Sequence, residues 1–295
     1  MSTEHVDPHF ADVDAWPTGQ AVEAMWQGQM DATAAVKIIV PNIAAAADAA
    51  AQRLGASGRL IYAGAGTSGR IAVQDGAELL PTFGWPSERT VFALAGGQGA
   101  LIAAVDDAED NATDGVAQIA FADTGPNDVV IGVSASGSTP FTLGAIGEAR
   151  KRGSLTIGLA CNPDSALLEA AEHPLLLATG SEVLAGSTRM KAGTAQKIVL
   201  NLISTAVMMR LGRVYKGQMV DMRPTNAKLR KRAVEIVASL AACSETNAAV
   251  ALKSCGGQIK PAVLVASGFA FEEAMARLAA SGGNLRAAFG MASQT

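Results

Sequence analysis

Residues 59–85 read RLIYAGAGTSGRIAVQDGAELLPTFGW. The stretch opens on a short apolar run, Leu60-Ile61-Tyr62-Ala63, and turns through Gly64-Ala65-Gly66-Thr67-Ser68-Gly69. A helical pattern follows from Arg70 to about Leu80, with Pro81 as its expected end. Strand, glycine turn and helix together make a recurrent phosphate-binding unit. The turn bares backbone N–H groups, and the helix start adds partial positive charge. Thr67 and Ser68 add hydroxyl donors. The spacing Gly64-x-Gly66-x-x-Gly69 has the letters of the dinucleotide fingerprint, which also wants an acidic residue after the second strand. Here the second apolar run, Thr90–Leu94, ends in Ala95-Gly96-Gly97. A Walker loop wants Lys and then Ser or Thr after its last glycine, and Arg70-Ile71 stand there instead. Two readings remain for the turn: a phosphate cradle without a nucleotide, or a tight structural turn.

Further short, largely apolar runs follow at Asp128–Val133, Leu155–Ala160 and Pro174–Leu177, separated by helical stretches such as Pro140–Lys151. Continuous apolar runs of this length are the mark of strands covered on both faces. The alternation predicts an α/β fold: a doubly wound, mostly parallel five-stranded sheet flanked by helices, with ligands beyond the carboxyl ends of its strands. The third strand feeds a second polar loop, Ser134-Ala135-Ser136-Gly137-Ser138-Thr139, with Pro140 placed to start a helix. Two such loops in one sheet favour phosphate binding over helix capping alone. A third polar stretch, Gly180–Thr194, carries Ser187, Arg189 and Lys191. Its cations suit either an anion or the start of the long apolar helix expected over Ala192–Leu211.

Upstream, Met1–Gly19 reads as irregular, and Gln20–Arg53 as helix divided at Pro41. From Thr225 the pattern is helical over 225–241, 244–254 and 270–280, and the run Ala262–Ala266 suits either a strand or a buried helix, its helical neighbours favouring helix. The expected organisation is therefore a helical segment (1–52), a sheet domain (53–224) and a small helical domain (225–295).

The chain has 295 residues, 49% of them hydrophobic, and a formal net charge of −4. That is enough for a large core, and mild acidity argues against nucleic acid as a partner. The basic run Lys228–Arg232 reads as a solvated helix face. Three cysteines (Cys161, Cys243, Cys255) and three histidines (His5, His9, His173) suit neither a disulfide framework nor a metal centre nor a His-based triad. No apolar run reaches the roughly 20 residues of a membrane helix, and the acidic, polar start is no signal peptide. A cytoplasmic location with no membrane partner is the expectation.

Four stretches carry a resemblance: YAGAGTSGR (62–70), SASGSTP (134–140), GSTRMKAGTAQK (186–197) and MVDMRPTNAKL (219–229). Together they resemble the N-acetylmuramic acid 6-phosphate etherases, of the SIS (sugar isomerase) phosphosugar-binding superfamily. The resemblance implies an SIS-like fold and removal of D-lactate from the C3 ether of the sugar, leaving N-acetylglucosamine 6-phosphate. The implied route is elimination followed by addition of water, without metal or organic cofactor. It needs an acid for the ether oxygen and a base for the C2 proton. By motif position the acid falls on Glu78 and the base on Glu109. Burial beside Pro81 would raise the Glu78 pKa as an acid requires, whereas Glu109, in the run Asp106–Asp110, reads on its own as a solvated face. Implied substrate contacts are Gly66, Thr67, Ser68, Ser134, Ser136, Ser138, Thr139, Ser187 and Lys191.

The resemblance further implies a phosphorylated amino sugar as partner, a homodimer with sites near the subunit interface, and a place in peptidoglycan recycling. The chain departs from the family at Leu79-Leu80-Pro81, where Cys-Pro-Pro is common, and at Ser138, where arginine is frequent. Two rivals share the fold: an aldose–ketose isomerase using His173, and a sugar-phosphate sensor that meets another protein through the helical module.

Overall fold

The computed structural model describes residues 3–291, which form two compact units. The first comprises residues up to Ala77 together with Glu88–Ala206, and the second Glu78–Ser87 together with everything from Val207. The second unit thus starts well before Thr225 and takes in a segment from the middle of the chain.

The first unit opens with α1 (Thr18–Ile38) and α2 (Val40–Leu54), bent by 61° where Pro41 enters the first turn of α2. Proline is tolerated there because that N–H has no intrahelical acceptor. Five parallel strands follow: β1 (Leu60–Gly64), β2 (Thr90–Leu94), β3 (Val129–Val133), β4 (Leu155–Ala160) and β5 (His173–Leu176). Their spatial order is β2-β1-β3-β4-β5. The three central strands are buried at every residue, as continuous apolar runs require, while β2 and β5 form partly exposed edges.

Around the sheet lie α3 (Gly66–Phe83), α4 (Ala112–Phe121), α5 (Pro140–Lys151), α6 (Ala166–Ala170) and α7 (Lys191–Arg210). On one face Ile61, Ala63 and Val130 share a core with Ile119 of α4, Phe141 and Ile146 of α5 and Leu167 of α6. On the other, Tyr62 donates to Asp75 of α3 at 2.7 Å. Asp75 also accepts from Asn201 (2.6 Å) and Ser204 (3.0 Å) of α7. This carboxylate is 4% exposed and ties β1, α3 and α7 together. Burial, then the charge and hydrogen bond of Asp75, holds the Tyr62 phenol well above its ordinary pKa.

The amino ends of the strands are laced by arginines. Arg59 donates to Asp128 (2.7 Å) and to the carbonyls of Ala122 and Asp123. Arg53 reaches the carbonyls of Pro126 and Gly153, and Arg89 those of Gly58, Leu54 and Gly55. Burial alone would raise the Asp128 carboxyl, but hydrogen bonds from the Arg59 guanidinium and the Gly125 and Arg59 N–H groups outweigh it and hold its pKa below the ordinary value.

The expectation that Pro81 ends the third helix is corrected: α3 runs on to Phe83. The stop is Gly84, at φ 61°, where its N–H closes on the Leu80 carbonyl and the Trp85 N–H on that of Leu79. A left-handed residue just past the helix is the ordinary exit, and a Cβ there would meet the Asp221 carbonyl at 2.1 Å.

The second unit holds a hairpin, β6 (Val214–Tyr215) and β7 (Gln218–Met219), and the helices α8 (Ala227–Ala241), α9 (Glu245–Ser254), α10 (Ile259–Ala266), α11 (Phe271–Ala280) and α12 (Leu285–Gly290). Val237, Leu252, Val263, Leu264 and Leu285 lie in its core. The run at Ala262–Ala266 is helix, as its neighbours suggested. The hairpin turns on Lys216-Gly217, both at positive φ, as a two-residue turn between strands favours.

Candidate active site

The sheet order reverses at β1: one chain direction leads to β2, the other through β3 to β5. Parallel pairing of β1 with β3, with Gly64 opposite Val133, therefore sets the two hydroxyl-bearing loops side by side at the carboxyl ends of neighbouring strands. Such a switch point is where doubly wound sheets hold ligands. A cleft of about 520 Å³ opens there, within the size range of small-molecule sites. The β1–α3 turn lines it with Ala65, Gly66, Thr67 and Ser68, and the β3–α5 loop with Ser134, Ser136, Ser138 and Thr139. Gly186, Thr188, Glu109, Asp110 and Glu4 complete the wall.

The second loop is internally braced. Ser134 Oγ accepts from the Gly137 N–H at 3.0 Å and lies 2.8 Å from Thr139 Oγ1. Ser136 Oγ accepts from the Ser138 N–H (3.2 Å) and hydroxyl (3.1 Å), so its own proton turns to Ser134 or into the cleft. Gly137 stands at φ 71° with Ser165 pressed against it, leaving no room for a side chain. On the first loop Ser68 Oγ lies 3.0 Å from the buried Gln196 Oε1 of α7. Among the described lining residues there is no lysine, arginine or histidine. What faces an anion here is hydroxyls, backbone N–H groups and the start of α3.

Glu109 lines the cleft from a single 3-10 turn, Ala108–Asp110, entered through Asp107 in the left-handed region. Ser187 and Lys191 do not join it. They line a smaller cavity beside α1, with Met25 and Gln29. The Lys191 ammonium donates to the Ser181 carbonyl at 2.9 Å. The start of α7 is already met by an anion, because Glu182, 1% exposed, accepts from the N–H groups of Lys191 (3.0 Å) and Ala192 (2.9 Å). Lys191 is the first residue of α7.

Glu78 is not among the cleft residues, and the burial expected for it is not found. Ala72, Asp75, Gly76 and Leu79 carry the buried stripe of α3, and Glu78 falls on the exposed side. His173 opens β5, at the amino end of its strand. Glu4, Asp110, Gly186 and Thr188 are lining residues that the sequence reading did not select. Gly186 and Thr188 lay inside a quoted motif, and Asp110 in the acidic run around Glu109.

Comparison with known proteins gives the family and the fold. The model of the glucokinase regulatory protein N-terminal SIS domain matches residues 42–150, and that of the SIS domain matches residues 102–206. An N-acetylmuramic acid 6-phosphate etherase of Rubrobacter xylanophilus is 49% identical over 291 residues, covering 98% of this chain and 96% of its own. One of Deinococcus radiodurans is 46% identical over 289 residues, covering 98% and 95%. The chain belongs to the N-acetylmuramic acid 6-phosphate etherase family. The fold of the family's sheet is also that of a solved phosphoheptose isomerase from Francisella tularensis. That structure has a TM-score of 0.51 at 19% identity and covers 66% of this chain and 100% of its own. In this member of the etherase family the motif SASGSTP supplies the braced loop and YAGAGTSGR the glycine turn.

Proposed function

We propose that this chain is a carbon–oxygen lyase that cleaves the D-lactyl ether of N-acetylmuramic acid 6-phosphate, giving N-acetylglucosamine 6-phosphate and D-lactate. The observation that carries the reading is the cleft itself. In a chain 49% identical to an etherase, two hydroxyl loops and a carboxylate, Glu109, face one cavity at the sheet's switch point. Gly66, Thr67, Ser68, Ser134, Ser136, Ser138 and Thr139 receive the 6-phosphate through hydroxyl and backbone donors. The open-chain aldehyde acidifies the C2 proton. Glu109 takes that proton, the C3–O bond breaks, and lactate leaves with a proton supplied by Glu78. Water then adds across the C2–C3 double bond, its hydroxyl to C3 and a proton to C2.

A homodimer reconciles Glu78 with this chemistry: a second copy brings its Glu78 to the cleft. An apolar stripe supports the pairing, since Val22, Trp26 and Met30 recur every four residues along α1 and are 53%, 55% and 48% exposed. The three cysteines are free thiols, which suits a reducing, cytoplasmic compartment.

Release of D-lactate from N-acetylmuramic acid 6-phosphate tests the reading, with wild type beside Glu78→Gln and Glu109→Gln. Lactate from wild type and large losses in both variants are expected. Absence of release by wild type refutes the etherase. Mixing the two variants tests the shared site: random re-pairing restores about a quarter of the sites if they form across the dimer, and none if each forms within one chain.

A further inference from the structure

The cleft wall includes a carboxylate that the reaction above does not use. Glu4 sits on a segment fastened by its neighbour Thr3, which is fully buried. The Thr3 N–H donates to Asn162 Oδ1 at 3.2 Å, Asn162 Nδ2 donates to Thr3 Oγ1 at 3.0 Å, and the Gly186 N–H donates to the Thr3 carbonyl at 3.0 Å. Asn162, also buried, donates from the same amide to the Ser136 carbonyl at 3.3 Å. One side chain thus joins this segment to the braced hydroxyl loop. Glu4 itself is exposed and lines the cleft. The Thr3 hydroxyl donates to Oε1 at 3.4 Å, and Oε2 lies so close to Gly186 that a Cβ there would stand 2.9 Å from it.

We infer that Glu4 is a substrate-positioning residue that accepts hydrogen bonds from the hydroxyl or amide N–H donors of the sugar, and that it fixes which way the sugar phosphate lies in the cleft. An ionised carboxylate is an acceptor only. It repels a phosphate or a lactyl carboxylate and attracts the neutral donors at the other end of a sugar 6-phosphate. With the hydroxyl loops on one wall and Glu4 fixed over another, the two ends of such a ligand find different partners. Glu109 is committed to proton transfer in the proposed reaction and Asp110 shares its short turn, so Glu4 is the one of the three lining carboxylates that stands on the strapped segment beside the hydroxyl loop. The inference rests on the phosphosugar reading of the cleft, not on ether cleavage.

The test is calorimetric binding of two probes to the full chain, N-acetylglucosamine 6-phosphate and inorganic phosphate, for wild type, Glu4→Gln, Glu4→Ala and Thr3→Val. A charge-assisted hydrogen bond lost from a ligand weakens binding about 10-fold or more. Glu4→Gln and Glu4→Ala are expected to weaken the sugar phosphate by that factor and leave inorganic phosphate within about 2-fold of wild type. Thr3→Val, which removes the hydroxyl that accepts from Asn162 and donates to Glu4 while keeping the two main-chain bonds, is expected to change the two probes in the same selective direction. Equal weakening of both probes, the mark of a merely structural role, overturns the inference, and so does no change in either. Binding needs no turnover, so a wild type that binds the sugar phosphate but releases no lactate refutes the etherase while leaving this test intact.

Discussion

Replacing Asp75 with alanine removes the acceptor shared by Tyr62, Asn201 and Ser204. The Tyr62 and Ser204 side chains are buried, at 1% and 3% exposure; the Tyr62 hydroxyl loses its acceptor, and Ser204 keeps a 3.4 Å bond to the Asn201 carbonyl. Each buried donor left unsatisfied costs about 1–3 kcal/mol. Removing the carboxylate also relieves the cost of holding a charge inside, which offsets part of the sum. The net expectation is a loss of about 3 kcal/mol in urea denaturation. Tyr62→Phe removes one donor only and should cost about 1.5 kcal/mol, since a hydrogen bond to a charged group is worth that much. In the double variant the second cost should nearly vanish, giving a coupling of about 1.5 kcal/mol. The same pair has a spectroscopic signature. The folded state holds the Tyr62 proton more tightly than the unfolded chain, so this contribution is intact below about pH 10 and is lost as pH rises through the raised folded pKa. In a spectrophotometric titration the phenol should ionise at higher pH in folded wild type than in Asp75→Asn. A cost below about 1 kcal/mol for Asp75→Ala, or additive single costs, would refute the reasoning.

Other outcomes follow from single sites. Burial pushes the Cys161 thiol up to about 12, so its thiolate is scarce near neutrality. In mass-spectrometric iodoacetamide mapping at about pH 8, Cys161 should react about 1000-fold more slowly than an ordinary exposed thiol until the chain is unfolded. Asp128 is ionised more readily when folded, so its pairing with Arg59 stabilises fully above about pH 4 and is lost as pH falls through the depressed folded pKa. Asp128→Asn should cost about 2 kcal/mol at neutral pH and flatten the acid limb of a stability profile followed by circular dichroism. Ser138→Arg places a guanidinium on the cleft wall. It should tighten inorganic phosphate about 10-fold at low salt and make binding salt-dependent, where wild-type affinity varies little with added salt.

The sheet was readable from the sequence because β1, β3 and β4 are buried on both faces and therefore apolar at every position. The hydroxyl loops were readable because they follow strands. The misreadings have local causes. Pro81 looked like a stop, but α3 runs through it, and Gly84 with its left-handed backbone sets the true exit. The strands of the hairpin at Lys216-Gly217 are too short to show alternation. The place of Glu4 on the cleft wall was not readable, because it depends on a contact between residues 159 positions apart. The partner of the α7 start was hidden for a related reason: nothing in the letters tells a capping carboxylate such as Glu182 from a free one.

The arginine lacing at the amino ends of the strands has a bearing on how such a protein changes over generations. Arg53, Arg59 and Arg89 fasten carbonyls in the turns that enter the sheet, at the edge opposite the one that lines the cleft. Cohesion and ligand choice are thereby assigned to opposite rims of one sheet. A lineage can exchange letters in the loops after β1 and β3, as at Ser138, without loosening the rim that keeps the strands in register. Drift in ligand preference should accordingly appear first in those loops, while the lacing arginines stay where they are.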